Sequence, residues 1–377
     1  MIVGGRTYGQ GLHGRTMDAA AIEGDDDTLY AELMPMLMPS ASSSTRPGAG
    51  WAAWVLGRTG VERVALDAAR ARAIVAASRT ATGHVAKSMH ERHAFEQEIH
   101  TYADVLGAYG VADAARYTTL RPLRIVGIGR VIGLECGRGG NRYVLSARCE
   151  TPLDRFTFAR PADIDRFVPD VLSAFAKLHA GGMMHADVKL DNMIHCAEER
   201  RFKLIDWGAS MRAPDQVMRV YALNAAPPRN TASPMAWFAY GVGSRLARAV
   251  FAYQNGRMHP RGFLTSPDYQ RLILGAHSSY RRALDGLLAE VGGSEKRARE
   301  LIVERHWRSF DLYSLGIVLA GIAIGTVGGG VRRRRLLALA VRLTHYDHPE
   351  RVCDDAAAAL RFWEASAVKM NRRRLAS

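Results

Sequence analysis

"HADVKLDNMIH", residues 185–195, places His185, Asp187, Lys189 and Asn192 within eight residues, closed off by Met184 and Met193. Two short apolar runs follow from its end, "NMIHC" and "FKLIDWG", separated by the charged "AEERR". That spacing predicts a β-hairpin. The second run ends in Asp206, 14 residues after Asn192. A loop carrying Asp187 and Asn192, followed by a hairpin ending in another aspartate, brings three oxygen donors or bases together. Hard oxygen donors suit Mg²⁺, which is normally shared with substrate phosphates. Lys189 adds a cation beside them. Acids, an amide and a lysine in this arrangement are the groups that phosphoryl transfer needs.

The surrounding chain divides by pattern. Upstream, "GHVAKSM" (83–89) reads as a strand, and "ERHAFEQEIHTYADVLG" (91–107) as a helix with Phe95, Ile99 and Tyr102 on one face. "LRIVGIGRVIGLEC" and "NRYVLSARCE" read as strands about a Gly139-Gly140 turn. From Ala162 the period becomes helical, with Phe167, Val171, Phe175 and Leu178 on one side, until Gly181-Gly182 stops it. Strands come first and helices later. The expected class is α+β, with a small β-rich part and a larger, mostly helical part.

"HADVKLDN" followed by "DWG" resembles the catalytic loop and metal-binding triplet of the eukaryotic-type protein kinase superfamily. The common Ser/Thr pattern H-R-D-x-K-x-x-N is matched except at Ala186. The resemblance implies a bilobal kinase-like fold, with an N-lobe over 1–149 and a C-lobe over 150–377. It implies that Asp187 positions or deprotonates the acceptor hydroxyl, that Asn192 and Asp206 hold Mg²⁺, and that Lys189 stabilises the transferred phosphoryl group. "DLYSLG", from Asp311, resembles the start of the family's long buried helix, whose aspartate hydrogen-bonds the catalytic-loop backbone. "YGQGLHG" supplies Gly9, Gly11 and Gly14 as G-x-G-x-x-G, a weak motif alone that reads here as the loop over the ATP phosphates. Backbone N–H groups approach phosphates closely where side chains are absent.

By the same resemblance Lys87, in "HVAKS", is the lysine that meets ATP, with a surface lysine at a strand end as the alternative. Glu98 is its expected helix partner, with Glu91 and Glu96 as rivals. Residues 147–149 fall at the hinge that would hold adenine, and Ser146 at the gatekeeper position. Lys189 favours serine/threonine specificity. The glycine turn near the N-terminus and the large insertions make the chain similar to divergent serine/threonine kinases of large DNA viruses.

Several features depart from the family. Gly14 and Lys87 are 73 residues apart, which places an insertion at about 18–75, where Asp25–Asp27 and a Pro/Ser-rich run stand. Asp206 and Asp311 are 105 residues apart, which places a second at about 229–305, a stretch with twelve basic and six acidic residues. The A-P-E triplet is absent. "NAAPPRN" (224–230) is nearest and lacks the glutamate, so the partner of Arg351, the large-lobe arginine by resemblance, is left open. Ala186 replaces the arginine that clamps an activation-loop phosphate, so activity is expected without phosphorylation of that loop.

Composition bounds the rest. With 377 residues and 48% hydrophobic content, the chain can bury a core, which excludes global disorder. A net charge of +14 favours anionic partners without choosing among them. An acidic protein substrate is the first expectation. Nucleic acid is a lesser one, with Arg332–Arg335 and Arg372–Arg374 as contact patches or simply solvated basic faces. Cys136, Cys149, Cys196 and Cys353 lie far apart with no zinc spacing, so reduced thiols are expected. No secretory signal is expected at the N-terminus, and the chain is placed in the cytoplasm (host cytoplasm or virion for a viral protein), with a nuclear site also compatible with the basic runs. The uncharged stretch 312–331 mimics a membrane span, yet its glycines favour a buried helix. Two other readings stay open: a small-molecule kinase of the aminoglycoside or choline type, which shares H-x-D-x-x-x-x-N, and an ATP-binding pseudokinase scaffold.

Overall fold

The computed structural model describes residues 7–11, 14–18, 51–57, 60–67, 84–89, 91–125, 128–136, 141–147, 149, 151–153, 155–158, 160–217, 233–239, 266–325 and 330–375. The Gly139-Gly140 turn, Asp25–Asp27 and residues 224–230 lie outside these, as do the side chains of Arg372–Arg374. The chain forms two compact units, Met1–Cys149 and Glu150–Ser377. The first is β-rich and the second helical, an α+β chain.

In the first unit, β1 (Thr7–Gly11), β2 (Gly14–Asp18), β3 (Trp51–Leu56), β4 (Val61–Leu66), β5 (His84–Met89), β6 (Leu123–Ile125), β7 (Gly129–Cys136) and β8 (Asn141–Ala147) form one sheet. Its order is β1-β2-β5-β8-β7-β3-β4, with β6 on β7, and every pairing is antiparallel. The hairpin β3–β4 lies within the stretch assigned to an insertion. It attaches beyond β7, at the far edge from β1, so β2 still pairs directly with β5. The stretch read as a single strand from Leu123 is instead two strands, β6 and β7, paired antiparallel with Leu123 opposite Val131.

Helix α1 (Arg92–Tyr109) packs on one face of the sheet and buries Phe95, Ile99 and Tyr102, as their spacing predicts. Residues paired across antiparallel strands share a face. Trp54, Gly133, Val144 and Lys87 therefore lie on the α1 side. The approach is close: a Cβ on Gly133 would sit 2.4 Å from Ile99 Cδ1. The other face carries its own core of Trp51, Ala53, Val55, Leu66, Leu123, Val131, Leu134 and Leu145. Strand β3 is thus buried on both sides, which is why "WAAWVL" shows no alternation. Helix α2 (Ala114–Tyr117) follows α1.

In the second unit, β9 (Thr151–Pro152) precedes α3 (Pro161–Ala180), which has Pro at its first turn and the Asp163 carboxylate accepting the Arg160 N–H. Then come β10 (Met183–Met184), β11 (Met193–Cys196), β12 (Arg201–Leu204) and β13 (Met211–Arg212). The predicted hairpin is β11–β12, with Met193 opposite Leu204. Helices α4 (Pro234–Ala239), α5 (Pro267–Glu290), α6 (Glu295–Gly325), α7 (Val331–Thr344) and α8 (Ala356–Leu375) complete the unit.

Helix α6 is the membrane-span mimic. Among the described residues it alone is long and apolar enough to cross a bilayer, and 78% of its apolar window is buried inside the protein. It starts at Glu295, inside the stretch assigned to the second insertion, so the apolar run at 312 is the continuation of a helix already begun. Residues 326–329 lie outside the described set.

Two expectations change. Cys149 and Cys196 are disulfide-bonded, so they are not the reduced thiols the sequence suggested; Cys353 is a buried free thiol. The basic run at 332–335 is largely engaged within the unit. Arg332 pairs with Asp165 at 2.9 Å, Arg333 with Asp268, and Arg335 lies buried over the Trp363 ring at 3.7 Å.

Candidate functional site

The residues singled out in the sequence fall into two sets, one in each unit. In the first unit, Gly9 and Gly11 lie on β1 and Gly14 opens β2, with Gly11 opposite Gly14. The same strand β2 pairs with β5, where Thr16 stands opposite Lys87. Lys87 points toward α1. Its Nζ donates to both carboxylate oxygens of Glu98, each at 3.0 Å. Of the three candidate glutamates, the structure brings Glu98 to Lys87. Glu96 pairs instead with Arg92, one turn away on the same helix. Glu98 is 8% exposed, a carboxylate kept in place by its cation rather than by solvent.

In the second unit, the loop after β10 carries the opening motif. Its backbone is held by Asp311 on α6. Oδ2 accepts the N–H of His185 at 2.8 Å and Oδ1 that of Ala186 at 2.9 Å. His179, on α3, reaches the same carboxylate through Nε2 at 3.0 Å. These bonds hold Ala186 at φ 63°, in the left-handed region that L-residues avoid.

Asp187 follows directly. Its Oδ2 accepts from Lys189 Nζ at 3.0 Å, while its buried Oδ1 has no hydrogen-bond partner among the described residues. Burial raises the Asp187 carboxyl above its ordinary pKa, Lys189 and His185 pull it back, and the charge of Asp206 adds to the rise. Asp206 is therefore near enough to be felt electrostatically. It is exposed and stands at φ 62°, ψ 74°, at the head of a short 3-10 turn, Trp207–Ala209.

Asn192 Nδ2 donates to the Asp187 carbonyl at 2.8 Å, which leaves the amide oxygen as its donor toward a cation. Among the described residues, no group of three or more His, Cys, Asp or Glu side chains is placed to hold a metal by itself. An amide oxygen and a carboxylate suit Mg²⁺ that takes its remaining ligands from phosphates and water, and the donor set fits that case.

A short stretch of this chain is similar to a serine/threonine protein kinase. It is 49% identical over 47 residues to the proteins named serine/threonine-protein kinase Kist of Mus musculus, Rattus norvegicus and Homo sapiens. The match covers 12% of this chain and 11% of each relative. No protein-family model matches the chain.

Two residues around this loop were not anticipated. His179 is a histidine on the apolar stripe of α3, beside Phe175, and that misplaced polar group was its one signal in the sequence. Ser210 had no signal; its hydroxyl donates to the His185 carbonyl at 3.0 Å. Arg351, whose partner was left open, donates to the Tyr346 carbonyl at 2.6 Å and lies 3.9 Å from Asp354. Ser146 is half-buried on β8, opposite Val85.

Proposed function

We propose that this protein transfers the γ-phosphoryl group of Mg²⁺-bound ATP to serine or threonine hydroxyls of a protein substrate. The observation that carries the reading is Asp187: a buried carboxylate with one oxygen held by Lys189 and the other without a hydrogen-bond partner among the described residues, on a loop fixed by Asp311. An acceptor hydroxyl that donates to the Asp187 carboxylate would be oriented for in-line attack and would have a base within reach. Lys189 would neutralise charge on the phosphoryl group in flight. Asn192 and Asp206 would hold Mg²⁺, which supplies charge neutralisation on the phosphates. Lys87, fixed by Glu98, would bind ATP phosphate oxygens under the glycine turn of Gly9, Gly11 and Gly14. In this reading the two units are kinase lobes, and both insertions are additions to that fold.

The similarity to a named serine/threonine kinase, together with Lys189, favours a protein acceptor over a small alcohol. An acidic substrate agrees with the +14 charge. The narrower likeness to kinases of large DNA viruses, with a cytoplasmic, virion or nuclear location, rests on sequence style alone.

The test is phosphate transfer from γ-labelled ATP with Mg²⁺, wild type beside Asp187→Ala, offered casein, a basic protein and a panel of aminoalcohols. Label on seryl or threonyl groups that disappears in the variant is the expected result. Label on small molecules only would move the chain to the small-molecule kinases. ATP binding without transfer would make it a scaffold. Asp206→Ala is expected to lower the rate at least ~10²-fold, as for loss of a principal electrostatic element.

A further inference from the structure

The turn that carries Asp206 is held at both ends by one residue. Ile205, immediately before Asp206, presents its carbonyl to His185 Nε2 at 3.0 Å. Ser210, four residues after Asp206, donates its hydroxyl to the His185 carbonyl at 3.0 Å. The Trp207 ring lies against the imidazole between these two bonds, 4.7 Å between centroids.

The tautomer of His185 is set by the same network. The Asp187 N–H approaches Nδ1 at 3.3 Å, so Nδ1 accepts and Nε2 carries the proton given to Ile205. Ser210 closes the turn from its other side as well, with its N–H on the Trp207 carbonyl at 3.0 Å. It is 4% exposed, so solvent does not compete for its hydroxyl.

Asp206 itself is exposed and sits in the left-handed region, which aspartate enters more readily than most L-residues and which its surroundings here help to fix. Contacts from His185 on either side of Asp206 contribute to holding it there, beside the Ile205 N–H on the Asn192 carbonyl at 2.9 Å, and His185 is itself fixed by Asp311 through its backbone N–H. Without the Ser210 hydroxyl, the turn keeps one of its two hydrogen bonds to His185, and the His185 carbonyl loses a buried donor.

We propose that Ser210 is a positioning residue for Asp206, locking the metal-binding turn to the catalytic loop through the His185 carbonyl. The inference rests on the reading of Asp206 as a ligand of nucleotide-bound metal. Ser210 touches neither metal nor substrate; it acts through the turn that aims the Asp206 carboxylate.

The experiment measures Mn²⁺ affinity by electron paramagnetic resonance in the full chain saturated with adenylyl imidodiphosphate. The set is wild type, Ser210→Ala, Ser210→Thr and Asp206→Asn. Ser210→Ala is expected to weaken Mn²⁺ binding about tenfold, the scale of losing an outer partner of a metal ligand. Ser210→Thr, which keeps the hydroxyl, is expected to remain near wild type. Asp206→Asn is expected to lose the site. Metal-free nucleotide affinity stays constant across the Ser210 variants, which a general loosening of the fold would not allow.

Loss in Asp206→Asn with unchanged affinity in Ser210→Ala would overturn the role of Ser210 alone. Unchanged affinity in Asp206→Asn would overturn the reading of the site itself. Should Ser210→Ala not fold, Ser210→Cys gives the same comparison with a weaker donor at similar volume: intermediate affinity supports the proposal, and wild-type affinity overturns it.

Discussion

Asp311 and His185 stand 126 residues apart in sequence and 2.8 Å apart in space, a buried carboxylate oxygen on a buried backbone N–H. The same carboxylate takes the Ala186 N–H and His179 Nε2. Leaving buried donors without an acceptor costs about 1–3 kcal/mol each. Asp311→Ala is therefore expected to lose roughly 3 kcal/mol or more in urea denaturation, reduced by strain released at Ala186. Phosphoryl transfer should fall along with stability. Full stability in Asp311→Ala would mean that the loop is held by other contacts.

Much of this arrangement was legible in the sequence, for a physical reason. Asp187, Asn192 and Asp206 are polar groups out of place between apolar runs and stand out for that reason, while Asp311 was marked by the resemblance of "DLYSLG" to a long buried helix. The partner of Lys87 was harder, because Glu91, Glu96 and Glu98 lie within eight residues and only the rotation of α1 selects among them. Hairpin β3–β4 was not legible at all. A strand covered on both faces has no alternation, and its alanines suit a helix as well. The start of α6 was hidden for a different reason: six of its first ten residues are charged and its later ones are apolar, so one helix reads as two segments. Ser210 is a small residue whose role lies in one hydrogen bond to a distant carbonyl, which no spacing reports.

The Lys87–Glu98 pair separates an architectural role from a nucleotide-binding one. Each side chain is largely buried, at 20% and 11% exposure. Lys87→Met should lower kcat about 10²-fold, as for loss of a major electrostatic element. Exchanging the charges, Lys87→Glu with Glu98→Lys, restores an ion pair at the same place. The exchange should recover thermal stability relative to either single variant while leaving transfer as low as in Lys87→Met. Recovery of transfer would assign the pair to architecture.

Ala186 bears on regulation. Its methyl group is buried and it offers no cation to a phosphate. Phosphorylation orders a loop by creating charge-assisted bonds, typically to arginine, and that partner is missing at this position. Protein treated with phosphatase should keep its transfer rate within about twofold. Inert dephosphorylated enzyme, restored by phosphorylation of residues after Asp206, would show that another cation takes the phosphate.

His345 sets a pH dependence of stability. Burial lowers its pKa, and the nearby His348 and Arg282 add to the fall, against Asp347 and a hydrogen bond involving Val341. A lowered folded pKa means that the unfolded chain binds the proton more readily. This contribution is fully present above the unfolded value of about 6.5 and is lost as pH falls from there through the folded pKa. Thermal melts of wild type should therefore decline below about pH 6.5 more steeply than those of His345→Gln. Parallel profiles would exclude His345 as the source.

Gly133 reports on how tightly α1 is seated on the sheet, and hence on how firmly Glu98 is held. A Cβ at this position would lie 2.4 Å from Ile99 Cδ1, 3.2 Å from Phe95 Cζ and 3.3 Å from the Tyr143 carbonyl oxygen. The first contact is with the tip of a side chain, and the last is with backbone that cannot yield. Gly133→Ala should cost about 1–3 kcal/mol, the usual scale of overpacking. Ile99→Val deletes the δ-methyl group that the new Cβ meets, so the double variant should recover part of that loss, a non-additivity expected of residues in contact. The tyrosine carbonyl keeps the recovery incomplete. If the two substitutions simply added, α1 would be free to shift away from β7. The Lys87–Glu98 distance would then be set by something other than the packing of Ile99 against Gly133.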